Sequence, residues 1–329
     1  MPLRGILSWR VILILSAALV IGGSLILWQA QRRYVAPGPL TEATTVVIPK
    51  GMHLGAVTQR LADAGVVWGA TSTLIGARLD GAHVRAGEYL FEPRMSAEEI
   101  IEQMVQGRTV IHKLTIAEGL TVKRALELVA QADYLAGGIS HVPAEGMILP
   151  DTWHLSRDDL RQPLVDRMER SMEQNLNQLW AGRAPDLPLK TKEEALVLAS
   201  IVERETAVPA ERPHIAQVFE NRLRLGMRLQ SDPTVIYGLS NGLGVMDRPL
   251  THDDLSARHP WNTYVIDGLP PTPIAIPGKA SIEAVLHPLP GQDLYFVANG
   301  AGGHAFARSL AEHNKNVAHW RHLGDHETD

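Results

Sequence analysis

A chain of 329 residues exceeds the roughly 100 to 200 residues of an ordinary domain, so two folded parts with accessories are expected. Its composition is globular, 45% hydrophobic and 20% charged with formal net charge -5, and without a basic surplus nucleic acid is not expected as a partner. The absence of cysteine removes disulfides, thiol catalysis and cysteine-ligated zinc, but suits a reducing or an oxidising compartment equally.

The N-terminus says more about compartment. Val11 to Trp28 is an uncharged apolar run near the lower length limit for a helix crossing a hydrocarbon core of about 30 Å. It exceeds the roughly 7 to 15 apolar residues of a cleaved signal peptide, so an uncleaved anchor over 11–28 is expected. Arg4 and Arg10 precede the span while Arg32 and Arg33 follow it, so the positive-inside bias nearly cancels. A cytoplasmic tail over 1–10 with the remainder exported is the simpler topology.

Residues 29–44 lack periodicity and carry Pro37 and Pro39, which reads as an extended tether. A small α/β domain should follow. Thr44 to Ile48 is a β-branched run, Gly51 breaks it, and Leu54, Val57, Thr58 and Leu61 then fall at helical spacing up to Gly65. Ser96 and Glu99 have capping-box spacing ahead of a helix with Ile100, Ile101 and Met104 inward and Gly107 as its stop. Ile48-x-x-Gly51-Met-x-Leu54 recurs as Ile116-x-x-Gly119-Leu-x-Val122, either a weak repeat of strand, glycine and helix or two turns of shared chemistry. Composition changes near Pro150, so 45–149 is assigned to the first domain with a linking region and 150–329 to a second, mixed α+β domain holding the chemistry.

There Thr191 and Glu194 have capping-box spacing at the head of KEEALVLASIVERETA. Leu198, Ile201, Val202 and Glu205 sit at i, i+3, i+4 and i+7, so the Glu205 carboxyl continues the apolar stripe. Desolvation there would raise its pKa, as a general acid requires. Glu203, about 200° away around the helix, cannot share that environment. The alternative for Glu205 is a structural ion pair with Arg204, Arg222 or Arg228. A second helix, near Pro213 to Leu225 with Gly226 as its stop, leads into Met227 to Gly238. In that stretch Gln230, Ser231, Asp232 and Thr234 crowd polar groups around Pro233, with Tyr237 adding an amphipathic ring. Such a surface suits sugars, and it equally suits an ordinary turn before a helix.

Taken together, Ala199-Ser-Ile-Val-Glu-Arg-Glu-Thr-Ala207, Val218-Phe-Glu-Asn-Arg-Leu223, Gly226 to Gly238, Asn262-Thr-Tyr264, Gly268-Leu-Pro-Pro271 and Tyr295-Phe-Val-Ala298 resemble the endolytic murein transglycosylase (YceG-like) family. Gly303-His304-x-Phe306 and Glu312-His313-Asn314 continue the match. The resemblance implies a membrane anchor, a LysM-like first domain and lytic cleavage of peptidoglycan glycan strands after N-acetylmuramic acid, leaving 1,6-anhydro ends and ending nascent-strand elongation. It implies Glu205 as the catalytic acid/base, with no cofactor, and association with peptidoglycan synthases at the inner membrane, the catalytic domain lying in the periplasm. Gln230, Ser231, Asp232, Asn262 and Tyr264 are assigned to the sugar-binding cleft from polarity and motif membership. Thr272 departs from the glycine that many members carry after the Pro-Pro pair, and threonine would be strained there if φ were positive. A non-catalytic peptidoglycan-binding protein and a water-using muramidase are the rival functions. His319, His322 and His326 share one side of a terminal helix, but no HExxH-type motif accompanies them and no metal is expected. His304 and His313 are assigned structural or cleft-lining roles.

Overall fold

The structure, a computed structural model, describes residues 9–325; Arg4 and most of the expected tail lie outside them, as does His326. The chain divides into two compact units, 1–112 with 155–158, and 113–154 with 159–329. Both mix helices and strands.

In the smaller unit, α1 (Trp9–Val35) precedes β1 (Thr44–Ile48), α2 (Leu54–Asp63), α3 (Ala70–Leu79), β2 (Gly87–Phe91) and α4 (Ala97–Gln106). β1 and β2 pair antiparallel, Thr44 opposite Phe91 and Ile48 opposite Gly87. Val57, Leu61, Tyr89, Phe91, Ile100 and Met104 are fully buried between the strands and the helices. The capping box of Ser96 and Glu99 forms as expected, and Gly107 ends α4 in the left-handed conformation. Residues 155–158 join this unit through Arg157, whose Nε donates to the buried Glu88 carboxylate at 3.0 Å.

Residues 29–44 are not an extended tether. α1 runs on to Val35, burying Ala30 and Tyr34 one turn apart, and Leu40 also enters the core. Gly76 makes this possible, because a Cβ there would meet the Tyr34 ring at 2.3 Å. Pro37 and Pro39 do stop the helix, but the chain beyond is tied down by a Trp68 Nε1 bond to the Pro37 carbonyl (2.8 Å) and a Gly38 N bond to the Arg94 carbonyl (3.1 Å). Over Val11–Val35, α1 is long and apolar enough to cross a membrane, and the side chains of its apolar stretch are exposed.

The larger unit contains β3 (His112–Ile116, its first residue in the smaller unit), α5 (Val122–Gln131), β4 (Leu135–Ala136), β5 (Asp151–Leu155, its last residue in the smaller unit), β6 (Asp159–Leu160) and α6 (Arg161–Ala181). It continues with α7 (Lys192–Glu205), α8 (Arg212–Arg224), α9 (Asp232–Leu239), α10 (His252–Ser256), α11 (Lys279–Leu286), β7 (Tyr295–Ala298), β8 (His304–Ala307) and α12 (Leu310–Asp325). Its strands form short pairs: β3 with β5, β4 parallel to β6, and β7 antiparallel to β8. The division at 112/113, against an expected 149/150, follows from these pairings. β3 pairs with β5, and the loop after β3 exchanges backbone bonds with the C-terminal part, Gly119 N to Ile276 O at 2.8 Å and Ile276 N to Leu120 O at 2.7 Å.

Both halves of the Gly51/Gly119 pattern take the same local form. A strand ends at Ile48 or Ile116, the glycine adopts φ of 81° or 80°, and a side-chain cap at His53 or Thr121 starts the helix. In the larger unit α7 is the central helix, packed against α6, α8 and α11, with every residue from Ala195 to Val202 buried. A helix apolar all round belongs inside a core.

Candidate active site

Thr191 caps α7, its hydroxyl accepting from Glu194 N at 3.2 Å, while the Glu194 carboxylate reaches Lys190 N rather than the cap's own amide. The helix ends at Glu205, and Thr206 is already extended. Leu198, Ile201 and Val202 are fully buried, so the stripe predicted for this face delivers the Glu205 carboxyl to the edge of the core. There it lines a cavity of about 480 Å³ together with Arg222, Leu229, Gln230, Asp232, Tyr264, Tyr295, Phe296, Val297, Leu310 and His313. The residue keeps partial solvent access through that cavity, while protein atoms crowd its carboxyl.

None of the three arginines considered as ion-pair partners bonds to Glu205. Arg204 donates to the Gly119 and Gly244 carbonyls. Arg222 donates to those of Leu294 and Leu229, both at 2.7 Å. Arg228 goes to Asp267 and to the Tyr264 carbonyl. Among the described residues, the one hydrogen bond to the Glu205 carboxyl comes from the Ser231 hydroxyl. Burial pushes the carboxyl up to about 7; Ser231 pulls it down, Asp232 pushes it further up, and Arg222 and His304 lower it from a distance. A group so placed holds its proton near neutral pH.

Glu203 points elsewhere, as its angular position requires. It accepts from Arg212 Nη2 at 3.2 Å and from Gly278 N at 2.9 Å, which clamps α7 to the start of α8 and the loop before α11.

The predicted cleft residues divide by role. Gln230, Asp232 and Tyr264 line the cavity, and the Tyr264 hydroxyl donates to Asp232 Oδ1 at 2.6 Å. Ser231 is buried behind them against Glu205. Asn262 does not line the cavity: its Nδ2 donates to the Ala257, Leu255 and Asp254 carbonyls and its Oδ1 accepts from Tyr264 N. It therefore shapes the loop that presents Tyr264. Gln230 takes φ of 52°, a left-handed turn held by its N–H bond to the Thr263 carbonyl (3.1 Å). Below it the buried Thr234 and Thr263 hydroxyls share a 2.9 Å bond, and Ser231 N donates to Thr263 Oγ1. Two chain segments are thereby locked together under the cavity floor. Tyr237 is not part of this site; its hydroxyl donates to Glu145 at 3.2 Å in a different cavity.

The opposite wall comes from β7 and the start of α12: His313, for which a structural or cleft-lining role was expected, lines the cavity, whereas sequence reasoning gave Tyr295 no role beyond motif membership. Tyr295 stacks on His313 with ring centroids 5.2 Å apart, and the Arg222 guanidinium sits 5.3 Å from the Tyr295 ring centre. Burial and Arg222 lower the His313 pKa, so its ring is neutral at neutral pH, and its Nδ1 has no partner among the described residues. His304 is structural: its ring Nδ1 lies 2.7 Å from Glu211, which also takes the Thr206 hydroxyl. Thr272 has no positive φ and accepts the Trp261 indole N–H at 2.9 Å, so its departure from glycine carries no strain. His319 and His322 are exposed on α12, and no acid or histidine cluster suited to a metal occurs among the described residues.

This arrangement offers one protonated carboxyl, one second carboxylate, a neutral imidazole and aromatic faces in an open polar cavity. Comparison with known proteins places it in context. A model of the YceG-like family matches residues 46–319. The endolytic murein transglycosylase of Bacillus subtilis is 28% identical over 335 residues, covering 90% of each chain. That of Streptococcus pneumoniae (serotype 2, strain D39) is 27% identical over 322 residues, covering 83% of this chain and 58% of its own length. Among solved structures, a YceG-like protein from Listeria monocytogenes is 28% identical and superposes with a TM-score of 0.54 over 84% of this chain and 99% of its own.

Proposed function

The chain belongs to the YceG-like family, and from that premise and the cavity around Glu205 we propose that it is an endolytic lytic transglycosylase of peptidoglycan. The observation that carries this is the state of Glu205, a carboxyl at the end of a buried helix, free of any arginine bond, raised to about 7 and open to a sugar-sized cavity.

Glu205 donates its proton to the glycosidic oxygen that follows an N-acetylmuramic acid residue, and the C1–O bond breaks as positive charge develops at C1. The resulting carboxylate takes the proton of that sugar's own 6-hydroxyl, whose oxygen bonds to C1. Glu205 ends protonated, as it began, and no water is consumed. One carboxyl suffices in both roles because the nucleophile is intramolecular and already placed. Asp232, oriented by the Tyr264 hydroxyl, supplies negative charge facing the developing cation.

Asp232 also supports a second reading. A water-using muramidase needs two carboxylates at the scissile bond, and Asp232 is the other carboxylate lining the cavity. Product masses separate the two: anhydro ends, lighter by one water, support the lytic reading, and reducing ends replace it with the muramidase. If Glu205→Gln processed glycan strands like the wild type, catalysis by Glu205 would fall under both readings; if neither protein cut them, the non-catalytic binding reading would stand.

α1 serves in this reading as a single-pass anchor in the inner membrane, with the units that follow it in the periplasm. The smaller unit acts as a LysM-like module on the glycan; the family resemblance and the order β1, α2, α3, β2 support that assignment. Release of the strand from the membrane-bound synthases would end its elongation.

A further inference from the structure

Trp9 and Trp28 are both exposed (68% and 58%) and bracket the apolar stretch of α1. Nineteen residues apart, at 1.5 Å per residue they lie roughly 28 Å from each other, about the thickness of a hydrocarbon core. Tryptophan favours the two membrane interfaces, so this spacing places Trp28 at one edge of the core and Arg32 and Arg33, one turn on, among the headgroups. α1 is already part of the folded unit at this level, because Ala30 and Tyr34 are buried in it. The unit is therefore held at the membrane surface by a continuous helix.

At that level Trp28, Gln29, Arg32, Arg33, Ala36 and Trp68 line a pocket of about 450 Å³. Trp68 comes from the loop ahead of α3 and is 62% exposed, yet its indole nitrogen is fixed on the Pro37 carbonyl at 2.8 Å. The Arg32 guanidinium lies 5.4 Å from the Trp28 ring centre. Arginine ion pairs among the described residues involve Arg157, Arg212, Arg224, Arg228, Arg248 and Arg308, and not Arg32 or Arg33. Two unpaired guanidiniums between two indoles match an anionic phosphate that carries apolar chains, since arginine forks bind phosphate oxygens and the indoles are wet at one end only.

We propose that this pocket seats the phosphate of a phospholipid of the bilayer that α1 crosses, with Arg32 and Arg33 as donors and Trp28 and Trp68 as walls. The assignment rests on reading α1 as a membrane span, and the test separates the two. The full chain is purified in detergent and titrated with fluorescent phosphatidylglycerol. Arg32→Gln with Arg33→Gln should weaken binding about tenfold and Trp68→Ala about threefold, while Arg60→Gln, an exposed arginine of the same unit outside the pocket, should leave it unchanged. Unchanged melting temperatures establish that the variants fold. Equal binding by the Arg32/Arg33 variant and the wild type, equal weakening by Arg60→Gln, or displacement by equimolar inorganic phosphate overturns the pocket. The span is read separately. Because the chain has no native cysteine, a spin label at Leu19→Cys in nanodiscs reports one depth: a label in the bilayer centre leaves the span standing whatever the titration gives, and a water-exposed label removes both readings.

Discussion

Two glutamates on neighbouring helices are pushed up to about 7 by burial, Glu205 at the end of α7 and Glu220 within α8. Glu220 is fully buried, pairs with Arg224 at 3.1 Å and lines no part of the Glu205 cavity. Glu205 has no arginine bond, is held by a serine hydroxyl and opens onto that cavity. The same displaced titration thus occurs at a packing site and at the proposed catalytic one. A raised carboxyl pKa reports desolvation; access and an oriented neighbour decide whether it can do chemistry.

The comparison breaks most sharply under paired substitutions. Glu205→Gln should lower kcat/KM on purified glycan strands by about 10² to 10⁴-fold, the usual contribution of a general acid–base group. Glu220→Gln should stay within about twofold. Equal losses would mean that the cavity has no special claim. Thermal stability should respond alike at both positions. Each group binds a proton more tightly in the folded state than the ordinary carboxylate near 4.5, so its contribution is full below about pH 4.5 and is lost as pH rises through about 7. Either Gln variant should therefore flatten the fall in melting temperature between pH 5 and 8.

Neighbours of Glu205 sharpen the contrast, since Glu220 has no counterpart to them. Asp232→Asn removes a negative charge that raises Glu205, so the alkaline limb of the kcat/KM profile should move to lower pH, with an activity loss of about tenfold or more. Ser231→Ala removes a bond that lowers Glu205, so that limb should move to higher pH with a smaller loss. Shifts of equal sign would show that the two residues do not act through Glu205. A pH series of initial rates on each variant reads both effects.

Much of this was legible in the sequence because it rests on local periodicity. The α7 stripe, the Ser96 capping box, the Gly107 stop and the angular separation of Glu203 from Glu205 all depend on residues within two turns of one another. What was not legible depends on distant pairing. Asn262 and Asp232 are both polar members of motif blocks, yet one is consumed by three backbone carbonyls and the other lines the cavity; composition cannot distinguish them. The wall of Tyr295 and His313 arises only when β7 and α12 fold against the Arg222 guanidinium, and none of these elements carries a periodic signal for it. Segment 29–44 lacks a signal for its packing for a related reason. Ala30, Tyr34 and Leu40 are too few apolar positions to look amphipathic, and the gap at Gly76 that admits the Tyr34 ring is distant in sequence.

The smallest expected effect concerns Thr272, at the edge of the loop that presents Tyr264. Its hydroxyl accepts from the Trp261 indole and donates to the Pro273 carbonyl at 3.0 Å, and its backbone has no positive φ. Replacement by glycine therefore relieves no strain. It removes an indole partner, worth about 1 kcal/mol, and adds chain entropy to the unfolded state, worth roughly another 0.5 to 1 kcal/mol. Thr272→Gly should lower the melting temperature by a few degrees and leave the alkaline limb of the rate profile where it is, because Trp261 packs against Tyr237 and His259 rather than against Glu205. A displaced limb would mean that this loop tunes Glu205 through Tyr264, and that the proposed catalytic glutamate depends on a wider frame than Ser231 and Asp232 provide.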